Sequence, residues 1–183
     1  MWVGAPANDC SRESTIGVTT ATGNGFVEWG WNLGWLWDAT CSTSTYQSSP
    51  TRFVAWAPRN GAVHCLIEGS IPDSVFRGFT IKDSDSDTVW SYDYEGTELG
   101  TVDVDFDRGT LYTNGERHDS ADSAQANFDL LRFQVAGSTT WYAFNDIVQI
   151  WDDDPHGMSA TNYNCLEASA DNVKVKADPR TCP

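Results

Sequence analysis

Basic residues are scarce in this sequence: 11 Lys and Arg stand against 26 Asp and Glu among 183 residues, a net charge of -15 before the three histidines are counted. A surface so acidic repels phosphate backbones and anionic lipid, which argues against nucleic acid and membrane as partners. Long apolar runs are missing as well. None approaches the roughly 20 residues that span a bilayer as a helix, and Met1-Trp2-Val3 is not the start of a signal peptide. Met1 therefore reads as an added start on a mature chain whose leader was removed. The five cysteines, Cys10, Cys41, Cys65, Cys165 and Cys182, contain no CxxC pair, which excludes zinc ribbons and thioredoxin-type sites. Also missing are HExxH, with His64, His118 and His156 far apart, and the GxSxG elbow of serine hydrolases. No period of 20 to 50 residues repeats, so solenoids and propellers are excluded too.

What is present is a succession of short β-branched and aromatic runs cut by Gly, Pro, Asn, Asp and Ser, the pattern of antiparallel sheets. Strands are predicted at 15–20, 26–31, 52–56, 62–67, 76–82, 88–93, 98–106, 110–113, 128–135, 140–150 and 172–176. Asn60-Gly61 in APRNGA marks a hairpin turn, and Ser120 to Asn127 is the one stretch that reads as a short helix. The expected fold is all-β, a concanavalin-like jelly-roll sandwich of two antiparallel sheets. One domain spans 1–183, with 1–14 an extended N-terminal segment and 177–183 a C-terminal tail. Scattered cysteines in a polar, strand-rich chain fit disulfides and export, Cys41 with Cys65 and Cys165 with Cys182 being the pairing we expect, although five leaves one over. A cytosolic chain with reduced cysteines is the alternative.

The segment GFVEWGWNLGWLWD, Gly25 to Asp38, places one carboxyl among four tryptophans. Strand alternation assigns Val27, Trp29 and Trp31 to one face and Phe26, Glu28 and Gly30 to the other. With the indoles in the core, Glu28 stands on the opposite face and Gly30 leaves room beside it. In TVDVDFDRG the same alternation separates Val102, Val104 and Phe106 from Asp103, Asp105 and Asp107.

FVEWGW resembles the [IV]EVGW strand of the neprosin family, secreted β-sandwich proteins in which that glutamate is one of two catalytic carboxyls. The family's second glutamate lies in a GGEV-like segment, for which the matching candidate is Glu116 in LYTNGERHDS. The resemblance runs from about Thr20 to His118. It departs at Trp29, where Val is usual, at Asn114-Gly115 in place of Gly-Gly, and at Arg117 and His118. It implies a secreted, metal-free, acid-active glutamic-type peptidase acting on protein or peptide. Two carboxyls close together cannot both ionise cheaply, so one retains a proton. The ionised one can activate water while the protonated one donates to the scissile carbonyl. Indoles around Glu28 would favour it as the protonated member. Paired carboxyls also serve glycoside hydrolysis, so they do not by themselves select the substrate.

Two non-catalytic readings stay open. Nine Trp, six Tyr and eight Phe suit a carbohydrate-binding module that stacks aromatics on polysaccharide, or a scaffolding sandwich, although most such side chains fill cores. Trp35, Trp37, Tyr92, Tyr94 and Tyr112 are the candidates to line a substrate groove. No cofactor is expected. Asp83, Asp85 and Asp87 in KDSDSDTVW have the two-residue spacing of calcium ligands, but without the glycine at position six or the acid at position twelve, and a solvated acidic loop is the plainer reading. DDDPH at Asp152 to His156 reads the same way.

Overall fold

Alternating apolar and polar residues give each strand one face to bury, and the chain satisfies them by stacking sheets. The fold, obtained as a computed structural model, describes residues 2–3, 12–35, 46–72, 75–83, 87–117, 124–128, 132–134, 138–143, 165–169 and 172–177. Fifteen strands run through them: β1 (Trp2–Val3), β2 (Arg12–Thr19), β3 (Phe26–Trp35), β4 (Tyr46–Ala57), β5 (His64–Ser70), β6 (Val75–Phe76), β7 (Phe79–Asp83) and β8 (Val89–Tyr94). The remainder are β9 (Thr97–Asp103), β10 (Thr110–Arg117), β11 (Ala124–Phe128), β12 (Arg132–Phe133), β13 (Tyr142–Ala143), β14 (Cys165–Ser169) and β15 (Asn172–Ala177). No helix occurs among the described residues. The all-β expectation holds.

A five-stranded antiparallel sheet in the order β10-β2-β3-β4-β5 faces the three-stranded sheet β7-β8-β9. Their shared core holds Val18, Val27, Trp29 and Val54 from the first and Trp90, Tyr92 and Val102 from the second, closed by Val104 and Phe106. Trp29, fully buried, meets Phe79 edge-on at 5.4 Å and Tyr92 at 5.0 Å. Its indole N–H donates to the carbonyl of Asp93 at 2.8 Å, tying the two sheets together. Trp90 donates in the same way to Phe106. Val102, Val104 and Phe106 are buried while Asp103 and Asp105 are exposed, as the alternation of TVDVDFDRG requires.

Two turns show how local chemistry sets the register. Between β8 and β9, Glu95 and Gly96 both take positive φ (52° and 75°), the geometry of a two-residue turn that suits the right-handed twist of a hairpin. Between β4 and β5, Asn60 sits at φ 55° and Gly61 donates its N–H to the carbonyl of Pro58. The Asn-Gly signal is a real turn, but the loop around it runs from Pro58 to Val63 rather than being two residues long.

Several sequence expectations are corrected. The stretch expected to be helical ends in strand β11, whose partner is β15, so pairing with a distant strand overrode a weak local preference. Residues 12–14, assigned to an extended N-terminal segment, already belong to β2, paired on both sides by β3 and β10. The first half of β4 and all of β14 are strands the sequence pattern did not reveal.

Candidate functional site

The face of β3 turned away from the sandwich core carries Glu28. Four strands assemble its surroundings through cross-strand register: Tyr112 of β10 lies opposite Gly17 of β2, Gly17 opposite Glu28, Glu28 opposite Ala55 of β4, and Ala55 opposite Cys65 of β5. Gly17 has no side chain, and the Tyr112 ring occupies the space a side chain there would fill; a Cβ on Gly17 would overlap it. Reaching over Gly17, the Tyr112 hydroxyl donates to Glu28 Oε2 at 3.0 Å. Thr15, fully buried two residues earlier on β2, donates its hydroxyl to the same oxygen at 3.2 Å. Glu28 itself is half-buried. Phe26, Phe53, Cys65 and Ile67 pack around Ala55 on this face.

This geometry reverses one expectation. The tryptophans next to Glu28 in sequence do not surround it, because alternation sends Trp29 and Trp31 into the core, where each is almost wholly buried. Among the described residues, the hydroxyls of Thr15 and Tyr112 converge on one of its oxygens.

Glu116 is not brought to Glu28. Its backbone lies opposite Glu13, which lies opposite Asn32, four residues along β3 from Glu28 and two strands away. Four residues of strand and two inter-strand spacings separate the Cα atoms by roughly 16 Å. In the backbone register, then, Glu116 is not a cross-strand neighbour of Glu28.

The groove aromatics divide. Tyr112 is at the site, but Tyr92 is buried in the sandwich core, where its hydroxyl donates to Glu68 Oε1 at 2.6 Å. Burial first, then that hydrogen bond and the charge of Glu68, push the Tyr92 phenol well above its ordinary value. Tyr94 faces the same interior, with the Arg52 guanidinium 4.5 Å from its ring centre, and burial raises it also. Both point into the sandwich because they share the parity of Trp90 on β8. Trp35 ends β3 opposite Tyr46; its side chain, and the whole of Trp37, lie outside the described residues. Glu68 itself went unnoticed in the sequence. It sits where β4 and β5 slip register between Arg52 and Phe53.

Of the calcium candidates, Asp85 lies outside the described residues, as does DDDPH. Asp83 and Asp87 accept hydrogen bonds from the backbone N–H groups of Asp87 and Val89, the work of turn residues. No group of three or more His, Cys, Asp or Glu is placed to hold a metal ion among the described residues. Cys65 is disulfide-bonded. Cys41 and Cys182 lie outside the described residues, and Cys165 opens β14. No described helix is long and apolar enough to cross a membrane.

No protein-family model matches the chain, and no curated protein does. Among solved structures, the chain is similar in fold to the crystal structure of aspergilloglutamic peptidase from Aspergillus niger. The TM-score is 0.62 at 16% sequence identity, over 92% of this chain and 99% of that one. The chain thus has a β-sandwich fold of the kind seen in a glutamic peptidase.

Proposed function

We propose that this chain is a secreted, acid-active, metal-independent peptidase of the glutamic type in which Glu28 is a working carboxyl. The observation that carries the reading is the carboxyl of Glu28, set on the sheet face away from the core and fixed through one oxygen by Thr15 and Tyr112. The likeness of fold to a glutamic peptidase and the neprosin-like FVEWGW strand support it. In this reading Glu28 takes a proton from water as the water attacks the scissile carbonyl, and returns it to the leaving amine as the tetrahedral intermediate collapses and the C–N bond breaks. The disulfide at Cys65 supports an oxidising compartment, hence export.

A carbohydrate-binding role is favoured less. Such a role needs a flat strip of exposed rings, whereas among the described residues the exposed aromatics Tyr46, Phe76, Trp141 and Tyr142 come from separate strands or are adjacent in sequence. Tyr92 and Tyr94, two of the rings on which that role depended, face the core.

Digestion of an unfolded protein across a pH series, with wild type, Glu28→Gln and Glu116→Gln, tests the proposal. Cleavage confined to acid and reduced about 10²-fold or more in Glu28→Gln is the expected result. A loss of the same size in Glu116→Gln would make Glu116 the second catalytic carboxyl despite its register; an unchanged rate removes it. Absence of cleavage by folded wild type at every pH would end the peptidase reading.

A further inference from the structure

The loop at Asp83, the Lys82–Asp93 pair and the exposed rings of Trp141 and Tyr142 are satisfied locally or lack a second feature to specify a ligand. The row across β10, β2 and β3 is different, because a glycine, a tyrosine and a carboxyl on three strands fit each other. We propose that Tyr112 is a positioning residue for Glu28, and that Gly17 is glycine so that the Tyr112 hydroxyl can cross β2 to reach it.

Three observations carry this. Tyr112, Gly17 and Glu28 are directly opposite one another, so the tyrosine reaches the carboxyl only by lying over the residue between them. A Cβ on Gly17 would overlap the ring, including the hydroxyl end. The hydroxyl meets the same Oε2 that accepts from buried Thr15. Two donors on one oxygen fix the plane of the carboxylate and therefore the direction of its second oxygen. A base that must take a proton from a placed water needs such orientation, since misplacement of about 1 Å costs large factors in rate. The inference rests on the reading of Glu28 as the working carboxyl.

Among the described residues, those that face Glu28 from neighbouring strands include Thr15 and Gly17 on β2, Tyr112 on β10 and Ala55 on β4, with disulfide-bonded Cys65 beyond Ala55. Tyr112 is the titratable one among them, and Glu13 and Glu116 stand four residues further along the sheet. Removing the Tyr112 hydroxyl takes a donor from the charged form of Glu28, so the carboxyl should titrate at higher pH. A hydrogen bond to a charged group corresponds to a shift of about one pH unit.

The test follows the Glu28 side-chain carboxyl by carbon-13 NMR, with the resonance assigned by its disappearance in Glu28→Gln, in wild type, Tyr112→Phe, Gly17→Ala and Gly17→Ala/Tyr112→Phe. The titration midpoint should rise by about one unit in each single variant and no further in the double, because both changes remove one contact. In peptide cleavage, the acid limb of the kcat profile should move up by the same amount while KM changes little. An unmoved midpoint in folded Tyr112→Phe, or additive shifts in the double variant, overturns the proposal. Should Tyr112→Phe fail to fold, Gly17→Ala alone decides by the same midpoint. If wild type cleaves nothing, the peptidase reading fails while the NMR titration still decides whether Tyr112 holds the carboxyl.

Discussion

Trp29 and Trp31 are two residues apart on one strand and both almost wholly buried, yet replacing them with phenylalanine should have very different consequences. Each change removes a similar volume of indole, so the cavity costs are comparable and cancel in the difference. The polar ends do not cancel. Trp29 donates to the Asp93 carbonyl, which Trp29→Phe leaves buried without that donor, at a cost of about 1–3 kcal/mol. Trp31 Nε1 is buried and has no hydrogen-bond partner among the described residues, so Trp31→Phe relieves a penalty of the same order. The difference is about 2–6 kcal/mol. Taking roughly 3 kcal/mol and about 2–4 °C per kcal/mol for a domain of this size, Trp29→Phe should melt about 6–12 °C below Trp31→Phe. Far-UV circular dichroism is the suitable probe, because it does not depend on the fluorophore being removed. Equal melting temperatures, or Trp31→Phe the lower, would refute the assignment of the Trp29 N–H as the tie between sheets.

Stability should also fall in alkali with a signature traceable to Tyr92. Its folded phenol is held above its ordinary value of 10.0, so the stabilisation is whole below about pH 10 and is lost as pH rises toward the folded value. Tyr92→Phe should therefore be less stable than wild type near neutrality but decline less steeply above pH 10, as read from urea midpoints at several pH values. A gap independent of pH would count against the buried phenol. Lys82, raised chiefly by its hydrogen bond to Asp93, acts in the same direction, and Lys82→Met should flatten the same limb. At the β8–β9 turn, Gly96→Val forces a branched side chain to φ 75° and should cost about 1–2 kcal/mol in chemical unfolding, whereas Gly96→Asn should cost less.

Much of the fold was legible because strand periodicity is a local property. Glu28 could be assigned to the face opposite Trp29, and the aspartates of TVDVDFDRG to the face opposite Val102, from alternation alone. Where short alternation competed with helix-favouring composition the reading failed. Ala124–Phe128 (AQANF) alternates, but two of its three apolar residues are alanines, which favour helix, and its strand state depends on β15, far along the chain. Tyr92 and Tyr94 were assigned to a groove because alternation says that two residues share a face, not which face another sheet will cover.

The sequence by itself determined that this is an all-β, acidic chain and that Glu28 does not share a face with its neighbouring indoles. Only the tertiary structure decided what Glu28 meets. Tyr112 is 84 residues away in sequence, and its contact with Glu28 exists because β10 pairs with β2 in a register that puts Gly17 between them. The same register sets Glu116 apart from Glu28. A shift of one residue would turn every side chain of β10 to the other face, so the site is written in the pairing of strands, which no local pattern encodes.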